Sequence, residues 1–95
     1  MPTSFLQVDA PDVVVESWKS AEDGRGTIVR LLETGGRSTT ARVDFPMLKL
    51  HGAWLSNAME EDEQELKFAG SGVEIGLRPY QIVTVRIEGE IRQTR

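Results

Sequence analysis

The sequence has no cysteine and a single histidine, and each scarcity removes a class of chemistry. Without cysteine there is neither a disulfide framework nor a thiolate metal site. The one histidine, His51, lies inside the apolar segment LKLHGAWL, and no G-x-S-x-G elbow occurs anywhere. It reads as an ordinary strand residue rather than the base of a nucleophile. Zinc would need several His or carboxylate ligands to converge, and one histidine is a poor start. No apolar run approaches the ~18 residues of a membrane span. The opening MPTSFLQVDAPD has neither the basic region nor the apolar core of a signal peptide. A net charge of −4 disfavours phosphate backbones, so nucleic acid is not an expected partner. The expected setting is the cytoplasm, with no membrane partner and no cofactor held by this chain.

What remains is a composition of ordinary globular type, 39% hydrophobic and 27% charged, in 95 residues that suit one domain over 1–95. Its segments are short, rich in β-branched residues, and broken by Gly, Pro or charged clusters at fairly even spacing. That pattern predicts an all-β fold, an antiparallel two-sheet β-sandwich of about seven or eight strands. Thr39–Phe45 alternates most cleanly and puts Ala41, Val43 and Phe45 on the core face, with Arg42 and Asp44 outward. Val73, Ile75 and Leu77 repeat the device. Further strands are expected at Phe5–Val8, Val13–Lys19, Gly26–Thr34, Leu48–Asn57, Gln64–Phe68 and Tyr80–Ile87. The last is irregular, because Tyr80 and Ile82 have one parity while Val83, Val85 and Ile87 have the other; a bulge, or burial of both faces, would reconcile them. Asp23-Gly24 predicts one hairpin turn, and Gly35-Gly36 predicts a second between residues 33 and 38. The acidic run SNAMEEDEQEL tolerates a helix, but its carboxylates would repel along one, so a strand end and an acidic loop are expected.

Catalytic residues do not emerge. Glycoside hydrolysis needs two carboxyls flanking a sugar, and the acids here fall in turns or on polar faces. The acidic run lacks the alternating spacing and central glycine of a calcium loop. No Gly-rich phosphate loop is present. Trp18, Trp54 and Tyr80 are candidates for stacking on sugar, although large rings in so small a domain are usually core residues.

Several segments together resemble a known family. SFLQVDAPDVVVESWKSAEDGRGTIVRLLE resembles the opening of the last β-domain of glycoside hydrolase family 38 α-mannosidases, with its pattern vvl-s-lK-aEdg-g-ivRl-e. The matching residues are Val13 to Val15, Lys19, Ala21, Glu22, Asp23, Gly24, Gly26, Val29, Arg30 and Leu31. LSNAMEE resembles the family segment tdllEe, and LRPYQIVTVRI resembles its closing l-pfeikTlrl through Leu77 to Tyr80, Ile82, Thr84, Arg86 and Ile87. Trp18, where an aliphatic is usual, and the tail Glu88–Arg95 depart from the pattern. The resemblance implies a C-terminal β-sandwich of a larger enzyme, present as an excised piece or as a short related reading frame. In the implied parent, a zinc-dependent retaining mechanism is run by an Asp nucleophile and Asp/His ligands in an N-terminal catalytic domain. None of those motifs occurs here, so no catalytic or metal residue carries over. The expected partner is that catalytic domain, with Glu22, Asp23, Gly24 and Arg25 as the candidate contact. Apolar residues of both parities at Val13 to Val15, Ile28 with Leu32, and Leu48 to Leu55 suggest a docking face. Ile28/Leu32 is the favoured part of it, and the free fragment could form a homodimer through it. A carbohydrate-binding module using exposed Trp, or an immunoglobulin-like interaction module, are the competing readings.

Overall fold

A computed structural model describes residues 6–91. Within them the chain forms nine strands and no helix: β1 (Gln7–Asp9), β2 (Val13–Ser20), β3 (Thr27–Glu33), β4 (Thr39–Asp44), β5 (Leu48–Ser56), β6 (Asp62–Glu65), β7 (Phe68–Ala69), β8 (Gly72–Leu77) and β9 (Ile82–Ile91). Of the first expected strand, Phe5 lies outside the described residues. The single strand expected at Gln64–Phe68 is two, because Leu66-Lys67 carries the chain from one sheet to the other. One sheet has the order β1-β4-β8-β7 and the other β2-β3-β9-β5-β6, with every pair antiparallel. The architecture is therefore the expected two-sheet β-sandwich.

The core is what the alternation implies. Ala41, Val43 and Phe45 face Val73, Ile75 and Leu77 within the four-stranded sheet, all buried, and pack against Val29, Leu31, Val83, Val85 and Ile87 of the five-stranded sheet. Each fully buried aliphatic side chain of this kind contributes ~1.5–3 kcal/mol. Edges are blunted: β1 and β7 are very short, β2 carries a bulge at Glu16, and β6 is the charged strand DEQE.

Two expectations are corrected. Residues 33–38 do not close a hairpin, because β3 and β4 belong to different sheets and the segment is a crossover. The reason is Glu33, which is fully buried. Its carboxylate accepts the backbone N–H groups of Gly35 and Gly36 at 2.8 Å and of Tyr80 at 2.9 Å, turning the chain out of the sheet. Ile28 is not free to dock, since only 1% of it is exposed beneath its own chain. Leu32 stays half-buried in a surface row with Val14 and Ile82, its cross-strand neighbours. Tyr80 lies before β9 and Ile82 at its start is 56% exposed, so the irregular parity is confined to the entry of the strand. Its register with β3 is unbroken, and Thr84 and Arg86 are buried opposite Val83, Val85 and Ile87.

Candidate functional site

Strand β9 is central in its sheet, so a residue on its outer face is exposed only if nothing covers that face. Arg86 is covered: two loops, the β2–β3 turn at 21–26 and the β5–β6 loop at 57–61, meet above it, where the Glu22 N–H donates to Glu60 Oε1 at 2.9 Å. The guanidinium is 1% exposed and binds both loops. Nε donates to Asp62 Oδ1 at 2.8 Å, Nη1 to Asp23 Oδ1 at 3.0 Å and to the Arg25 carbonyl, and Nη2 to Asp23 Oδ2 at 3.2 Å and the Glu60 carbonyl at 2.6 Å. A planar fork of five N–H donors suits this convergence; a lysine could not reach it all.

Around Arg86 the other charges are paired. Arg25 bonds Asp62 at 2.9 Å and Glu88, and lies 4.9 Å above the Trp54 ring. Lys19 bridges Glu60 at 2.9 Å and Glu22 at 3.3 Å. Asp23 is held below the usual aspartate range, first by the Arg25 N–H and then by Arg86. Burial pushes Asp62 up, but hydrogen bonds from Arg86, Ser56 and Arg25 outweigh it and leave it low. Lys19 and the Glu22 N–H lower Glu60. Asp23, Asp62 and Glu60, all held low, are ionised across the neutral range, and the cluster uses its charges on one another.

Within the expected contact turn, Glu22 and Asp23 keep exposed edges while Gly24, in a left-handed conformation, has open space around it. Trp18 is half-buried and packs against the core. Trp54 is half-buried on the outer face with Arg25 over its ring. Tyr80 is 68% exposed. It occupies the third position of a turn closed by the Gln81 N–H on the Arg78 carbonyl, with φ of 58°, where glycine is normally favoured. Its N–H reaches Glu33, whose carboxyl is held low by that bond first, against burial. The structure thus gathers Asp23 and Arg25 with Lys19, Glu60, Asp62 and Arg86, and of the three aromatics only Trp54 reaches this cluster, through Arg25.

The sequence offered Arg86 and Glu33 only weak signals. For Arg86 it was a charged residue in a strand whose two parities were both apolar-rich; for Glu33, an acid just before Gly-Gly. Among the described residues no three His, Asp or Glu side chains gather to hold a metal.

Residues 12–85 match the family model described as the glycosyl hydrolases family 38 C-terminal beta sandwich domain. No curated protein matches the chain.

Proposed function

The chain belongs to the family 38 glycosyl hydrolase C-terminal β-sandwich domains, and we propose that it serves an α-mannosidase as a noncatalytic packing domain. The match over residues 12–85 carries this reading, and the Arg86 cluster supports it, because the acids that could attract a catalytic reading are bound to cations of the same chain. In this reading the domain packs on the catalytic part of its enzyme and helps to shape the rim of the active site. The exposed edges of Glu22 and Asp23 in the clamped turn, and the row Val14–Leu32–Ile82, are the surfaces we assign to that contact. The same row would let the free domain pair with a second copy. In this reading the zinc-dependent retaining chemistry belongs to the catalytic domain of that enzyme, and no step is assigned to this chain.

The test is hydrolysis of an aryl α-mannoside by the pure chain, with and without added zinc. No turnover is expected in either case. Zinc-dependent turnover that co-purifies with the chain would overturn the noncatalytic assignment.

A further inference from the structure

The register of the five-stranded sheet lines up polar side chains across its outer face. Ser17 lies opposite Arg30, Arg30 opposite Thr84, and Thr84 opposite Ser56. Arg30, Thr84 and Ser56 line an open groove of about 590 Å³, which Glu16, Gln81 and Ile82 also border. The groove adjoins the Arg86 cluster through Ser56, whose hydroxyl donates to Asp62 at 2.9 Å, and none of the aromatic residues considered above lines it.

Polar capacity in it is unused. Arg30 is half-buried with five N–H donors, yet its one hydrogen bond among the described residues is long, Nη2 to the Ala58 carbonyl at 3.5 Å. Thr84 is 7% exposed, and its hydroxyl has no hydrogen bond among the described residues. No fully buried side-chain oxygen there lacks a partner, so that hydroxyl opens onto the groove. Gln81 fixes its amide by accepting the Arg78 N–H at 2.8 Å, which leaves the NH₂ group free. Glu16 accepts only the neighbouring Ser17 hydroxyl, at 3.3 Å.

The charges select the ligand. Arg30 shares the groove with Glu16 and Glu63 but forms no ion pair with either. An anion would face two carboxylates, and a cation would face the guanidinium. An apolar ligand would strip water from Arg30 and Thr84 without replacing those hydrogen bonds. A neutral molecule with several hydroxyls, each both donor and acceptor, satisfies both signs at once. Its C–H face can rest on Ile82, which is 56% exposed. The volume lies within the range of small-molecule sites. We propose that this groove binds a neutral sugar one or two rings long, with Arg30 and Thr84 holding adjacent hydroxyls. The site goes beyond the packing role but shares Ile82 with the row assigned to it, so sugar binding is proposed for the free domain, and a domain that docks without binding sugar would leave that role intact.

The test is an NMR titration of the ¹⁵N-labelled chain with α-linked mannobiose and, in parallel, maltose, with glycerol and acetate as controls. Saturable shifts confined to Arg30, Gln81, Ile82 and Thr84 are expected with a disaccharide, and none with either control. Thr84→Val removes a hydroxyl with no internal partner, so it should weaken binding about tenfold while leaving the unfolding midpoint nearly unchanged. Arg30→Met should abolish the shifts. Saturation by acetate, equal shifts with glycerol, no saturable shift with either disaccharide up to about 50 mM, or full affinity in Thr84→Val would each overturn the site.

Discussion

Replacing Arg86 by methionine keeps most of the buried stem and removes every donor of the fork. Asp62, Asp23 and the carbonyls of Arg25 and Glu60 then lose their partner together. Breaking a buried charge pair from one side typically costs ~3–5 kcal/mol. Asp23 is half exposed and can regain water, whereas the Glu60 carbonyl and the mostly buried Asp62 regain it only if the loops lift. The low end, about 3 kcal/mol, is therefore expected. In a domain of this size that lowers the unfolding midpoint by roughly 12–24 °C. Arg86→Lys keeps the charge but not the fork, and should fall between the two. Asp62→Asn combined with Arg86→Met should cost clearly less than the sum of the single changes, because both act on one network. Thermal and urea unfolding by circular dichroism compare the wild type with these variants and with Asp62→Asn alone. A loss below about 1 kcal/mol for Arg86→Met, the level of an exposed pair, or strict additivity with Asp62→Asn, would refute the view that this arginine holds the two loops down.

Gly26 and Gly24 form an internal control, since both have positive φ; a Cβ on Gly26 would lie 2.1 Å from the Ile87 carbonyl oxygen, while Gly24 has open space. Gly24→Ala should cost about 1 kcal/mol and Gly26→Ala several-fold more by urea unfolding, and equal losses would contradict the packing of this turn. Asp23, Asp62, Glu33 and Glu60 all titrate below their ordinary values of 3.8 and 4.5, so the folded state binds their protons less readily than the unfolded chain does. Their stabilisation is complete above those ordinary values and is lost as pH falls through the lower folded ones. The melting temperature should hold from pH 7 to 5 and drop steeply below 4; a flat profile to pH 2.5 would show that the cluster contributes little. Tyr80→Gly should raise the melting temperature slightly, because it relieves a left-handed backbone of ~1 kcal/mol or more while removing an exposed ring. A fall of several degrees would show that the ring packs more than its exposure suggests.

Residues whose environment is set by their nearest neighbours were readable from the sequence. The period of two in β4 and β8 named the inward residues Ala41, Val43, Phe45, Val73, Ile75 and Leu77 correctly, because one face of each strand is core and the other is not. The period failed to interpret β9, a central strand buried on both faces, where Arg86 finds Asp23 63 residues away. No local pattern encodes that distance. Gly-Gly after β3 has the turn chemistry of a hairpin, yet the buried Glu33 carboxylate, bonded across to Tyr80, accompanies a crossover to the other sheet. The same limit applies to Ile28, which is 1% exposed although its own segment gives no sign of what covers it. The turn motif itself is legible in the sequence; that it grips its own sheet instead of reaching freely outward depends on Arg86.

The measurement closest to the central claim is the thermal inactivation of a family 38 catalytic part, followed by aryl α-mannoside hydrolysis, with and without this domain in place. If the domain acts by packing, its presence lengthens the half-life at elevated temperature, and Ile82→Lys on the proposed contact row abolishes the gain while the domain still folds. An unchanged half-life with the domain bound, or a gain that survives disruption of both the turn edge and the apolar row, would contradict the packing role.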